Sequence, residues 1–322
     1  MKQKARIFRS SKRQFDCRIS ETKQTVAAAA LATLLKDDHL VVGDWVELSE
    51  PSKKDDLWVI DSVEKRKNEI FRNLPREQKK KVIASNVDVI LIVTSIGKPG
   101  YKRGLVDRYL ARADYWNIPA FVVFNKADEF NENEFDLTFE AERLKWLNVE
   151  CFEVSAINHD YSPRFLNQGF KDLSEKLKLK TAVLVGHSGV GKSRLITELT
   201  MGKVTLQSGE LGKVGKGAHT TTWAELVDAD QFELIDSPGI RSMSLSDLTK
   251  EDLLFAFSDI NQWSTKCQFP SSCQHQENSK GCFFYQLDEN KKDSKLILSR
   301  LESFQRILSE VELIPDWIKN KS

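Results

Sequence analysis

Short apolar runs separated by polar turns fill the first 85 residues of the chain. The runs are rich in strand-forming residues, and turns such as Gly43-Asp44 lie between them. This pattern is typical of short β-strands, and several in succession predict a small β-barrel of the OB or SH3-like kind. The predicted strands cover residues 5–9, 14–19, 40–48, 57–63 and 69–72.

From residue 87 onward, strongly apolar strands alternate with amphipathic helices, which is the signature of a parallel α/β sheet. The strands are predicted at 87–95, 120–124, 150–154, 182–185, 224–227 and 232–235. The helices are predicted at 103–116, around 139–147 and 171–177, and after Lys192.

Beyond residue 243 the pattern is helical, with a Cys/His loop at 267–282 and a long amphipathic helix around 294–312. The fold class is therefore predicted to be α/β with additional domains. We predict an OB-like barrel that binds RNA at 1–85, an α/β nucleotide domain at 86–243, and a helical zinc-binding domain at 244–322.

Composition is that of a soluble globular protein, with 322 residues, 40% hydrophobic and 30% charged. An apolar run near 18 residues and a signal peptide are both missing, so a cytoplasmic protein is expected. Five cysteines, an odd number, argue against a disulfide framework and leave metal binding open.

Net charge is only +1, so contacts with nucleic acid must come from local basic patches. Basic stretches at 2–13, 65–67 and 76–81 contain or adjoin phenylalanines, a combination that can grip an RNA backbone and stack bases. A solvated charged face with core aromatics explains the same pattern equally well.

A phosphate-binding loop follows the strand at 182–185 and matches G-x4-G-K-S. Its backbone N–H groups are expected to face phosphates, Lys192 to neutralise them, and the Ser193 hydroxyl to bind Mg²⁺. The loop consists of Gly186, His187, Ser188, Gly189, Val190, Gly191, Lys192 and Ser193.

A guanine-reading NKxD motif, residues 125–128, follows the strand at 120–124. The Asp128 carboxylate can accept two hydrogen bonds from guanine, and adenine offers no such donor pair. Asn125 is expected to brace the loop and the Lys126 stem to cover the base. The Ala156 N–H, after Ser155, is expected to meet guanine O6.

A DxxG motif, residues 236–239, ends the strand at 232–235. Asp236 is expected to reach Mg²⁺ through a water molecule, and Gly239 is expected to offer its backbone N–H to the γ-phosphate.

Between the phosphate loop and DxxG lies the segment 217–222, the expected position of switch I, a loop that should become ordered only when the triphosphate is bound. Thr221 and Thr222 are nucleotide candidates and Thr222 the candidate Mg²⁺ ligand, although spacing alone does not choose among the three threonines. Ile240 stands where many GTPases place a water-orienting glutamine. His219 is therefore the catalytic candidate, with a group supplied by a partner as the alternative.

The three motifs occur in a rotated order, because a Ras-like GTPase runs phosphate loop, DxxG, then NKxD. The order here predicts a circularly permuted P-loop GTPase domain. Cutting the chain elsewhere leaves strand neighbours in the sheet unchanged, so every strand-end site should be preserved.

Three cysteines and one histidine lie within sixteen residues near the C-terminus. Three thiolates and an imidazole can form a closed tetrahedral site for one structural Zn²⁺. The predicted ligands are Cys267, Cys273, His275 and Cys282.

The whole chain resembles the ribosome small-subunit-dependent GTPase A family. The resemblance is carried by residues 42–44, 86–88, 105–110, 125–128, 186–193, 219–222 and 236–239, with Cys273 and His275. It implies an N-terminal OB domain, a C-terminal zinc domain, GTP or GDP with Mg²⁺, and His219 as the catalytic histidine.

The resemblance also implies a cytoplasmic GTP hydrolase that is stimulated by the small ribosomal subunit and its rRNA and acts late in assembly of that subunit. The chain is expected to be a monomer. The alternative is a GTP-gated rRNA-binding module whose hydrolysis is incidental. An ATP-dependent kinase is opposed by Asp128.

Overall fold

The computed structural model describes residues 2–10, 14–34, 40–51, 53, 56–74, 79–132, 135–158, 160–204, 225–229, 231–236, 245 and 247–312. Within these ranges the chain forms thirteen β-strands and seven α-helices. Among the described helices, none combines the length and the apolar character required to cross a membrane.

The first five strands form a closed barrel. They are β1 (Lys2–Ser10), β2 (Phe15–Ile19), β3 (Thr25–Ala30), β4 (Trp45–Ser49) and β5 (Trp58–Val63). Their order is β1-β2-β3-β5-β4, and β4 also pairs with β1, which closes the barrel. Ala5, Ile7, Cys17, Leu48 and Ile60 fill the interior and are fully buried. The predicted OB-like barrel is confirmed.

Two strands within the barrel differ from the prediction. β3 was not predicted, and the strand expected at 40–48 begins only at Trp45, because the chain turns at Gly43 with φ +94°. A Cβ atom at Gly43 would lie 2.1 Å from the Ser85 carbonyl oxygen, so only glycine fits this turn.

The strand expected at 69–72 exists but lies outside the barrel. It forms β6 (Glu69–Leu74), which pairs with β7 (Lys79–Ser85) in a separate two-stranded hairpin. Its Phe71 carbonyl accepts a hydrogen bond of 3.0 Å from Trp116 Nε1, and Ile70 and Ala84 pack into the core of the nucleotide domain. The hairpin therefore belongs physically with the α/β domain.

Six further strands form the sheet of the nucleotide domain. They are β8 (Val89–Ser95), β9 (Ala120–Asn125), β10 (Glu150–Glu153), β11 (Thr181–Val185), β12 (Glu225–Asp228) and β13 (Glu233–Asp236). The order is β10-β9-β8-β11-β13-β12, parallel except for β12. The carboxyl ends of the five parallel strands therefore meet at one edge, as a permuted GTPase requires.

Both faces of this sheet are covered. The helices are α1 (Arg103–Tyr115), α2 (Leu137–Trp146), α3 (Phe170–Leu177) and α4 (Lys192–Leu199). Successive residues of β8 point to opposite faces, so Ile90 and Ile92 join one apolar core while Leu91 and Val93 join the other. This explains why the strand is apolar throughout.

The barrel and the nucleotide sheet join at Arg6. β1 pairs with β12 through Arg9 and Glu225. The buried Arg6 guanidinium forms an ion pair with Glu233 and donates a 2.8 Å hydrogen bond to Thr181 Oγ1. The barrel is thus fixed to β11 and β13 by a buried charge with specific partners.

The C-terminal helices α5 (Lys250–Ala256), α6 (Ser258–Ser264) and α7 (Lys292–Glu312) pack against α1. A buried ion cluster crosses this contact. Asp107 of α1 accepts hydrogen bonds from Arg143 (2.8 Å) of α2 and from Arg300 (2.7 Å) and Ser303 (2.5 Å) of α7. Arg300 also binds both carboxylate oxygens of Asp259, at 2.8 and 3.0 Å.

Candidate nucleotide site and metal centre

The predicted nucleotide residues in the described part of the chain converge on one edge of the sheet. The phosphate loop joins β11 to α4, and Asn125 is the last residue of β9. Ser155 and Ala156 follow β10, and Asp236 is the last residue of β13. His219, Thr221, Thr222 and Gly239 lie outside the described residues, so the structure does not place them.

The phosphate loop depends on its glycines. Gly186, Gly189 and Gly191 have φ values of +147°, +81° and +91°. A Cβ atom at Gly186 would lie 2.2 Å from the Val93 carbonyl oxygen, and one at Gly191 would lie 2.4 Å from Asn125 Nδ2. The loop can therefore form its tight turn only without side chains at these points, and this turn suits a bound phosphate.

Polar groups line the loop. Lys192 Nζ donates hydrogen bonds to the carbonyl oxygens of Gly186 (2.8 Å) and His187 (2.7 Å). His187, Ser188 and Gly189 are exposed, while the Val190 side chain is buried. Ser193 is half-buried in the first turn of α4. The cation and the helix N-terminus thus stand together at the open side of the loop, a combination that favours an anionic ligand.

Asn125 connects three of the converging segments. Its buried amide donates from Nδ2 to the Val190 carbonyl at 2.9 Å and accepts at Oδ1 from the Ala156 N–H at 3.1 Å. The expected bracing contact is therefore present. The Ala156 N–H, expected to meet guanine O6, is engaged with Asn125 here, so a guanine would have to share it.

The rest of the NKxD motif lies in a tight turn. Lys126 has φ +61°, and a short 3-10 helix, Ala127–Glu129, carries the exposed Asp128. The Lys126 ammonium donates to the Lys98 carbonyl oxygen. Its stem also passes the phosphate loop, since its Cε would be 3.9 Å from a Cβ atom at Gly191.

Sequence reasoning missed the contribution of the segment after β8. The Lys98 N–H donates to Glu129 Oε2 at 3.0 Å, and Pro99 lies beside Gly189, where a Cβ atom would be 3.6 Å from its ring. The segment thus touches both the NKxD turn and the phosphate loop. Its residues form no recognised motif, so nothing in the sequence pointed to it.

Three cysteines and one histidine form the second candidate site. The ligand atoms of Cys267, Cys273, His275 and Cys282 all lie within 4.8 Å of one another. His275 Nδ1 is 3.7 Å from Cys267 Sγ and 3.9 Å from Cys282 Sγ. The predicted cluster is therefore assembled, and it could hold a metal ion.

The hydrogen bonds of His275 fit a metal bound at Nδ1. Ser264 Oγ donates to the Ile260 carbonyl at 2.7 Å, which uses its only proton. Ser264 must then accept from His275 Nε2, 2.9 Å away, and this leaves Nδ1 unprotonated and facing the thiols. Gln305 of α7 donates to the His275 carbonyl and holds the loop in place.

Burial changes the chemistry of the thiols. It raises the pKa of Cys282 to about 11, so this thiol is protonated at neutral pH when no metal is bound. Metal binding must therefore release protons, and affinity should fall in acid.

Comparison with known proteins identifies a GTPase family, which agrees with the nucleotide site described above. The RsgA GTPase family profile matches residues 63–246, more than half of the chain. The chain is 33% identical over 288 residues to the small ribosomal subunit biogenesis GTPase RsgA of Chlorobaculum parvum, covering 85% of this chain and 86% of that protein. It is 36% identical over 251 residues to the protein of the same name from Chlorobaculum tepidum, covering 73% and 75%.

Two solved structures share the fold. The crystal structure of YjeQ from Thermotoga maritima has a TM-score of 0.75 at 22% identity, covering 98% of this chain and 100% of that one. The structure of YloQ, described as a circularly permuted GTPase, has a TM-score of 0.70 at 20% identity, covering 97% and 96%. The fold, the phosphate loop and the solved structures agree with the family match over residues 63–246 and with the Chlorobaculum relatives. These matches show that the chain belongs to the RsgA GTPase family.

Proposed function

We propose that this chain is a Mg²⁺-dependent GTP hydrolase that acts in maturation of the small ribosomal subunit, in the cytoplasm and as a monomer. The observation that carries the proposal is Asn125, whose amide joins the phosphate loop to the Ala156 segment. Phosphate binding and base reading therefore share one rigid site. The names of the Chlorobaculum relatives support the ribosomal role.

Each residue of the site has a proposed task. Lys192 neutralises the β- and γ-phosphates, Ser193 and Thr222 hold Mg²⁺, and Asp128 reads guanine. Bound Mg²⁺ would offset charge that builds up on the phosphates. His219 orients the attacking water, because Ile240 has no polar group to do so.

The barrel and the C-terminal domain are proposed to bind the subunit and its rRNA. The three exposed lysines at the start of β7, residues 79–81, provide local positive charge on a chain whose net charge is only +1. One structural Zn²⁺ is proposed to sit among the three thiols and His275. A four-ligand site without an open position suits a structural role.

The direct test is phosphate release from GTP and from ATP, measured with and without purified small subunits under multiple turnover. We expect slow hydrolysis of GTP alone, strong stimulation by subunits, and little reaction with ATP. Hydrolysis that never exceeds one turnover per chain would instead favour a GTP-gated RNA-binding module.

Replacing Asp128 by asparagine should weaken GTP binding by roughly 2–4 kcal/mol, because the carboxylate loses a charge-assisted pair with guanine. Titration calorimetry with GTP would measure the loss. Glu132→Gln, an exposed acid four residues away, is the matched control and should bind GTP like the parent. Equal affinities of the parent protein for GTP and ATP would contradict the assignment.

Replacing Cys273 by serine should deplete bound zinc, because a neutral hydroxyl is a poor substitute for a thiolate ligand. GTP affinity should stay close to that of the parent, since the metal site lies in the C-terminal domain. Elemental analysis gives the readout, with Cys151→Ser, a cysteine outside the cluster, as control. Full zinc content in the Cys273 variant would remove this residue from the ligand set.

A further inference from the structure

Glu153 is a fully buried acid at the end of β10, two residues before Ser155. Its carboxylate accepts hydrogen bonds from the backbone N–H groups of Arg164 (3.0 Å), Phe165 (2.9 Å) and Leu166 (2.8 Å). The Tyr161 hydroxyl is a fourth donor. A single side chain thus organises the loop that follows the Ser155-Ala156 segment, and we call its described residues 160–168 the Glu153 loop.

The far end of the Glu153 loop is closed on the same residue. The backbone N–H of Glu153 donates to the Gln168 carbonyl at 2.9 Å. Burial and the nearby Glu153 charge together raise the pKa of Tyr161 to about 12, so its hydroxyl stays protonated and continues to donate. The loop therefore starts and ends at the strand that delivers Ser155 and Ala156.

The middle of the loop packs on the NKxD turn. Arg164 Nη2 donates to the Ala127 carbonyl oxygen at 3.3 Å. The Phe165 ring meets Phe130 edge to face, with ring centroids 5.1 Å apart. Ala127 itself donates its N–H to the Val154 carbonyl at 3.1 Å, which brings the two base-reading segments into direct contact.

We propose that Glu153 is a positioning residue for guanine recognition. It anchors the Glu153 loop, and the loop clamps residues 125–128 and 155–156 in a fixed relation to each other. The proposal rests on the proposed GTP-binding function and deepens it, because it names what makes the base-reading segments rigid.

The chemistry of the anchor explains why a carboxylate is needed. All four of its neighbours are donors, so an uncharged amide in the same place would point its NH₂ at one or more backbone N–H groups. A buried donor without an acceptor is costly, and the loop would shift to relieve it. Glu153→Gln is therefore a small change in volume with a specific effect on hydrogen bonding.

The test is binding of GDP and of IDP, which lacks the exocyclic amine that Asp128 is proposed to read. Glu153→Gln should lower GDP affinity by ~10-fold, the scale of one unmatched buried polar group, and should narrow the preference for GDP over IDP. Glu150→Gln, in the same strand but paired with Lys176 at its surface, should keep the parent affinities and the parent preference.

Arg164→Ala provides a second variant, because the Arg164 side chain is exposed and alanine keeps the backbone N–H that donates to Glu153. It should narrow the GDP preference by a few-fold, since the contact with Ala127 is lost. A GDP-over-IDP preference equal to the parent's in both variants would overturn the proposal. Failure of the proposed function would look different, because the parent protein itself would then bind GDP no better than ADP.

Discussion

Replacing Asp107 by alanine should lower the free energy of unfolding by about 3–5 kcal/mol, the usual cost of removing one partner from a buried ion pair. The change leaves the Arg143 and Arg300 guanidiniums facing each other without their shared carboxylate, in a place that water does not reach. Urea denaturation of the parent and the variant would measure the difference.

The matched control joins the same two helices at the surface. Glu142 of α2 pairs with Lys292 of α7 at 2.6 Å, but both side chains are exposed. Glu142→Ala should therefore cost less than about 1 kcal/mol. A similar loss of unfolding free energy in both variants would mean that the buried Asp107 cluster stabilises the fold no more than the exposed ion pair does.

The Asp107 effect should depend on pH. Burial alone would raise the pKa of this carboxyl, but Arg300, Arg143 and the Ser303 hydroxyl outweigh burial and hold its pKa below the ordinary value. A depressed pKa stabilises the fold above the unfolded-state value and loses that contribution as pH falls through the folded-state value. The difference in free energy of unfolding between the parent and Asp107→Ala should thus become smaller below about pH 4.

Replacing His219 by alanine should reduce subunit-stimulated GTP turnover by ~10²-fold or more, the scale of a positioned general base or orienting group. Ile240 cannot orient water, and His219 is the one histidine in the sequence between the phosphate loop and DxxG. The measurement is phosphate release against small-subunit concentration for the parent and the variant.

Binding should survive the His219 substitution, because Lys192 and Asp128 are unchanged. GTP affinity and nucleotide-dependent co-sedimentation with small subunits are therefore the controls. Stimulated turnover equal to that of the parent would exclude the histidine and direct attention to a group supplied by the ribosome.

Local motifs made the sheet and the nucleotide loops predictable. The strand ends at Asn125, Val185 and Asp236 follow apolar runs whose length and composition are strand-like. The converging cysteines and histidine were also predictable, because all four ligands lie close together in sequence.

Features that depend on distant partners were not predictable. β3 is mostly alanine, which has no strand preference, and becomes a strand because β2 and β5 flank it. β7 begins with three lysines that resemble a solvated face until β6 pairs with them. Arg300 lies 193 residues from Asp107, and no spacing rule connects two such positions.

Arg6 also couples movement of the barrel to movement of strands β11 and β13. Its partners Thr181 and Glu233 are the first residues of β11 and β13, whose other ends carry the phosphate loop and Asp236. Tilting the barrel would strip a buried cation of its partners, so the barrel and these strands move as one mechanical unit. A displacement imposed on the barrel should therefore be carried along β11 and β13 over roughly 15 Å to the phosphate edge.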